Sequence, residues 1–172
     1  DTYFCLSVIR RHFRFVFTPD AKAFIRVPSR NPGHEVNRRR RIVARSLKGI
    51  FLFRELFNPF QFGYFSIQLL VNKVFRRLLP VCLLGVFLTS FAFCSNYQAI
   101  MLILFPQVVF YGIAVIYALW HKHLHNFKTL ERVGALTFYF CVGNYGTLMG
   151  LWDFMRGKEI VKWHPVKKDQ TE

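Results

Sequence analysis

The stretch LLPVCLLGVFLTSFAF, residues 78–93, contains no charged side chain, and AIMLILFPQVVFYGIAVIYALW, residues 99–120, contains none either. Each stretch approaches or exceeds the roughly 20 apolar residues that a helix needs to cross a bilayer. The polar residues 95–98 between them predict a tight turn. We therefore predict a mainly α-helical integral membrane protein, with a membrane region at 80–155.

A third apolar segment, 133–155, is rich in glycine. Gly146 and Gly150 have the small-xxx-small spacing that permits close contact between helices. If this segment crosses the bilayer, the basic tail at 156–172 lies outside, against the positive-inside bias. The sequence therefore leaves open two or three transmembrane helices, with a re-entrant or interfacial segment as the alternative to the third.

Positive charge dominates the part of the chain before the first span. The formal net charge is +15, and most of the excess lies there. Because Lys and Arg resist translocation, we expect the N-terminal region in the cytosol and the protein in an inner or plasma membrane.

Residues 36–79 have the pattern of amphipathic helices at a membrane surface. Between 37 and 56, basic residues recur on one helical face while Val43, Leu47 and Ile50 lie on the other. Arg40 falls on the apolar side, so it must snorkel or the helix must begin later. The order Asn58-Pro59, a capping residue followed by proline, predicts the start of a further helix. The residues expected at the lipid interface are Arg38, Arg45, Lys48, Lys73 and Arg76.

Residues 1–35 suggest a short α+β segment. A helix is predicted over 1–11, and the alternation Phe13-Arg14-Phe15-Val16-Phe17 has the period of a strand. A second short strand is predicted at 23–27.

Several motifs follow one another along the whole chain. They are the run from Asp1 to Leu6, the segment ending Thr18-Pro19-Asp20-Ala21, the Arg38–Val43 run, Leu56–Pro59, Asn72–Arg76 before Pro80, and a closing set at Tyr145-Gly146, Gly150–Trp152, Arg156–Lys158 and Trp163. Their order resembles the C-terminal part of membrane-bound family 2 glycosyltransferases, which include cellulose, hyaluronan and poly-N-acetylglucosamine synthases. The resemblance implies that 1–35 is the end of a catalytic glycosyltransferase A-type domain.

The resemblance also implies roles for three residues. Asp1 corresponds to the general base that takes the proton of the acceptor hydroxyl. Arg39 and Arg41 correspond to the arginines of the QRxRW motif, which bind the diphosphate leaving group. Arg38 and Ile42 replace the Gln and Trp of that motif.

The metal-binding half of such an enzyme is missing from this sequence. The four aspartates, at positions 1, 20, 153 and 169, form no DxD pair, and the four cysteines have no metal-binding spacing. We expect no cofactor or metal in this chain, Mg²⁺ or Mn²⁺ in a donor-binding half that precedes it, and no catalysis by this portion alone. The full enzyme is expected to use a nucleotide sugar and a glycan or lipid acceptor.

A different class of function also fits the pattern. The chain could be a small non-catalytic membrane subunit whose basic helix binds anionic lipid or a partner protein. Nucleic-acid binding is not expected, because no reader motif accompanies the charge. The oligomeric state is left open.

Overall fold

Helices form nearly all of the regular structure. The computed structural model describes residues 2–16, 18–22, 31–95, 97–120 and 128–158. Its elements are α1 (Thr2–Arg10), α2 (Pro32–Leu52), a 3₁₀ turn (Arg54–Phe57), α3 (Pro59–Phe62), α4 (Tyr64–Leu69), a π-helical segment (Leu70–Phe75), α5 (Arg76–Phe93), α6 (Gln98–Trp120) and α7 (Lys128–Met155).

Two helix starts follow the order cap then proline. The Asn31 side chain accepts a hydrogen bond from the Gly33 amide at 2.9 Å, and Pro32 opens α2. The Asn58 side chain likewise accepts from the Phe60 amide at 3.0 Å ahead of α3. Such caps satisfy backbone donors that have no partner within the helix. The predicted start at Asn58-Pro59 is confirmed, whereas α2 begins five residues earlier than the periodicity indicated, at Pro32 instead of Asn37.

Within the described ranges, two helices are long and apolar enough to cross a membrane. One is the 30-residue helix Tyr64–Phe93, in which α4, the π-helical segment and α5 run on without a break, and the other is the 23-residue α6. Most of their large apolar side chains are exposed. Within α6, the Gln107 amide donates to the Ile103 carbonyl at 3.1 Å, so this polar group is satisfied inside its own helix.

The described N-terminal part contains a small apolar core. It joins α1, the end of α2, the 3₁₀ turn and α4 through Leu6, Ile50, Phe53, Leu56 and Leu69. The Arg10–Glu55 ion pair, at 2.5 Å, also joins α1 to the 3₁₀ turn. The core therefore fixes the C-terminal end of α2 against the start of the long helix.

Helix α7 packs mainly on α6 and α2 along its length, with a smaller contact to α5. Near its N-terminus, a Cβ on Gly134 would lie 2.6 Å from the Tyr117 ring of α6. Its C-terminal half packs on α2 instead, through Gly146 and Gly150. The prediction of a close helix contact at these glycines is confirmed, and the contact is made with the amphipathic helix.

The strand predicted at 13–17 is wrong for its described residues. Residues 13–16 have no regular structure, and the described ranges contain no strand. A strand needs the hydrogen bonds of a neighbouring strand, and no described segment supplies one. The second predicted strand, at 23–27, lies outside the described residues.

Candidate functional site on helix α2

A seam of glycines on α7 lets α2 approach unusually closely. A Cβ on Gly146 would lie 3.0 Å from the Val36 carbonyl oxygen, and a Cβ on Gly150 would lie 2.7 Å from the Arg40 carbonyl oxygen. Both neighbours are backbone atoms, which cannot rotate away. The two helices can therefore keep this separation only with glycine at these positions.

Arg40 and Asp153 form a buried ion pair across that seam. The Arg40 guanidinium donates from Nη2 to Asp153 Oδ1 at 2.7 Å, and from Nε to Oδ2. The Asp153 side chain is only 2% exposed. The hydrogen bond from Arg40 lowers the pKa of Asp153 against the opposing effect of burial, and the same bond raises the pKa of Arg40. Both groups are therefore charged, and each satisfies the other.

This pair corrects the interpretation of Arg40 from sequence. Arg40 does lie on the apolar face of α2, but it neither snorkels nor precedes the helix. Asp153 was not identified as a site residue. A signal for it was present, because Asp153 is the one acidic residue in the apolar segment 133–155 and Arg40 is the one cation on the apolar face of α2. Buried charges of opposite sign in neighbouring helices are expected to pair.

Arg38 and Arg39 share one carboxylate at the start of α2. The Glu35 side chain accepts hydrogen bonds from Arg38 Nε at 3.0 Å and from Arg39 Nε at 2.7 Å. Burial raises the pKa of Glu35, but the two arginines outweigh it and lower the pKa overall. Arg39 remains 48% exposed, and its Nη groups have no hydrogen-bond partner within the described residues. The Arg39 guanidinium also packs over Gly143 of α7, where an added Cβ would lie 2.9 Å from Nη1.

The other basic residues of interest lie on exposed or half-exposed surface. Arg41 is half-exposed on α2, and no described residue pairs with it. Of the five residues predicted at the lipid interface, Arg38 pairs with Glu35. The other four are exposed: Arg45, Lys48, Lys73 and Arg76. The structure thus places Arg39 and Arg41 two residues apart on one helix, and side chains at that spacing leave an α-helix on different sides.

The Ser46 side chain connects α2 to α1 and α5. Its hydroxyl oxygen accepts a hydrogen bond from Thr2 Oγ1 of α1 at 3.3 Å and one from Arg77 Nη2 of α5 at 2.5 Å. Arg77 also donates to the Lys73 carbonyl at 2.8 Å. Ser46 itself is 2% exposed. The start of α1 is therefore tied to the arginine-bearing helix and to the beginning of the long apolar helix.

The predicted general base, Asp1, lies outside the described residues, and so does Trp163. Among the residues that are described, no group of three or more His, Cys, Asp or Glu side chains could hold a metal ion. The arginine side chains of α2 offer planar guanidinium donors, which suit the oxygens of a carboxylate or phosphate.

No protein-family model, curated protein or solved structure matches the chain.

Proposed function

We propose that this chain is the acceptor-side and membrane portion of a family 2 glycosyltransferase, which transfers sugar from a nucleotide-sugar donor to a polysaccharide or glycolipid acceptor. In this proposal Asp1 is the general base and Arg39 with Arg41 binds the diphosphate leaving group. The donor-binding half, with its divalent cation, precedes this portion, which is inactive by itself.

One observation carries the proposal beyond the order of motifs. Thr2, the residue next to Asp1 in sequence, hydrogen-bonds to Ser46 on the helix that bears both arginines. Ser46 is five residues beyond Arg41, a rise of about 7.5 Å along an α-helix. A general base and a diphosphate site must lie near one another, since one acts on the attacking hydroxyl and the other on the leaving group of a single displacement.

The packing of α7 supports a membrane arrangement in which both ends of the membrane region are basic and cytosolic. Asp153, at the end of α7, is paired with Arg40 of α2, which supports a topology in which α7 ends on the side of the membrane that α2 occupies. This arrangement agrees with the positive-inside bias, because Arg156 and Lys158 then lie on the same side as the arginines of α2. It favours the interfacial or re-entrant alternative for 133–155.

Site-directed labelling tests this topology. In a variant whose four native cysteines are replaced by serine, single cysteines at Lys48, Ser95 and Lys158 are labelled with a membrane-impermeant maleimide on intact and on opened vesicles. We expect Lys48 and Lys158 positions to react from the same side and the Ser95 position from the opposite side. Labelling of position 158 from the side of position 95 would contradict the arrangement.

The upstream coding sequence distinguishes the transferase from a small membrane subunit. A nucleotide-binding domain with a DxD motif that runs directly into Asp1 supports the transferase. An initiator codon immediately upstream of Asp1 supports the subunit that binds lipid or protein through α2.

The activity test uses the complete gene product in membranes with radiolabelled nucleotide sugars. Arg39→Gln and Arg41→Gln are each expected to lower the transfer rate about 100-fold, by analogy with the loss of one donor to a developing charge. Arg14→Gln, which removes an exposed arginine outside α2, is the matched control and should leave the rate unchanged. Equal effects of all three substitutions would contradict a specific diphosphate site.

A further inference from the structure

An apolar groove lies where α5, α6 and α7 meet. Its volume is about 370 Å³, which is within the range of about 300–1,000 Å³ that is usual for ligand pockets. α5 contributes Leu83, Leu84 and Phe87, α6 contributes Tyr111, and α7 contributes Phe140 and Leu148. The groove lining is therefore mostly apolar and suits a hydrocarbon chain.

The side-chain amide in the groove lining already has a hydrogen-bond partner. Asn144 borders the groove, but its side-chain nitrogen donates to the Phe140 carbonyl of the preceding turn at 2.9 Å. An aliphatic chain can therefore lie against α7 without leaving this donor unpaired.

A cationic end adjoins the apolar lining on the same face of α5. The lining residues Pro80, Leu84 and Phe87 follow the spacing of one helical face, and Arg76 occupies the position one turn before Pro80 on that face. Arg76 is exposed and has no ion-pair partner within the described residues. Lys73, also exposed, lies three residues earlier in the π-helical segment. A ligand that fills the groove therefore has the cation Arg76 on the same helical face at the end where α5 begins, with Lys73 in the segment just before it.

The surroundings of the groove identify the source of such a ligand. Two of its three walls come from the helices Tyr64–Phe93 and Gln98–Trp120, both long and apolar enough to cross a membrane. In a bilayer the groove opens among acyl chains. Arg76 comes just before the uncharged stretch 78–93, which puts it at the depth of the head groups. We propose that the groove binds one acyl chain of an anionic phospholipid, whose phosphate is bound by Arg76 and Lys73.

The test uses the complete chain in nanodiscs of phosphatidylcholine that contain phosphatidylglycerol with a diazirine at mid-chain. Irradiation followed by mass spectrometry is expected to place lipid adducts on the segments 83–87 and 140–148. Leu84→Trp, which fills the groove, should reduce these adducts several-fold, whereas Leu88→Trp, on an exposed part of α5 outside the lining, should not.

The head-group contact is tested separately by competition. Arg76→Gln removes one cation from an exposed site and leaves the packing intact, and it is expected to weaken the preference for phosphatidylglycerol over phosphatidylcholine about fivefold. Arg14→Gln should leave that preference unchanged. Adducts that are equally abundant in the Leu84→Trp and wild-type proteins would overturn the proposal. So would cross-links from the groove to a second protein chain in place of lipid, or an unchanged preference in Arg76→Gln.

Discussion

Replacing Arg40 by Met is expected to destabilise the α2–α7 contact more than replacing Asp153 by Asn, although the two side chains form one ion pair. The reason is their unequal exposure. The Arg40 side chain is 31% exposed and the Asp153 side chain is 2% exposed. If Asp153 loses its partner, its carboxylate is left charged and away from water. If Arg40 loses its partner, it can turn toward solvent.

The magnitudes follow from that difference. An uncompensated buried charge costs about 3–5 kcal/mol, which is the loss expected for Arg40→Met. Asp153→Asn keeps an acceptor for Arg40 and leaves no buried anion, so we expect a loss of about 1–3 kcal/mol. The double substitution Arg40→Met with Asp153→Leu removes both charges together. It should be much less destabilising than the sum of the single losses, because neither side chain then needs a partner.

Hydrogen exchange of the chain in detergent micelles measures this locally. The opening free energy is read from the amides of 36–50 and 143–155 in the wild-type protein, the two single variants and the double variant. The amides of α6, which lies away from the ion pair, serve as the internal control. Equal losses in the two single variants, or additive losses in the double variant, would refute the reasoning.

Three further predictions concern the same contact and its surroundings. Gly150→Ala places a methyl group against a backbone carbonyl of α2, and we expect it to lower the free energy of unfolding by about 1–3 kcal/mol in a denaturant titration. Gly85→Ala is the control, because the space around Gly85 is open; it should be neutral or slightly stabilising in the same titration. Ser46→Ala removes the acceptor used by Thr2 and Arg77 and should cost about 1–3 kcal/mol, seen as faster exchange of the α1 amides; unchanged exchange there would show that the hydroxyl does not hold α1. Because the native pKa of Asp153 is depressed below its ordinary value of 3.8, the stability that the ion pair contributes is fully present above that ordinary value and is lost as the pH falls through the depressed native value. Because the pKa of Glu35 is also lowered, from 4.5, unfolding titrations should show stability falling below that value in the wild-type protein and in Asp153→Asn, and the further decline below 3.8 should be weaker in Asp153→Asn.

The sequence was sufficient for the features that depend on neighbours along the chain. Uncharged apolar stretches predicted the two long apolar helices, and the order Asn-Pro predicted the start of α3. The glycine spacing at 146 and 150 predicted close helix contact. Each of these follows from local rules: hydrocarbon length, the capping of backbone donors and the absence of a Cβ.

The partner in each contact was decided only by the tertiary structure. Periodicity placed Arg40 on the apolar side of α2 but could not show that Asp153, 113 residues away, would receive it there. It also assigned a strand to 13–17, since alternation records which side chains share a face and not whether a second strand is present. Likewise, only the tertiary structure showed that one helix runs from Tyr64 to Phe93 and that α7 packs on α2.

Local chemistry therefore determined which segments are helical and which are apolar. The tertiary structure determined which charges are buried and where the arginines point, because the free energy of a charge in a protein interior depends on the atoms that surround it in space.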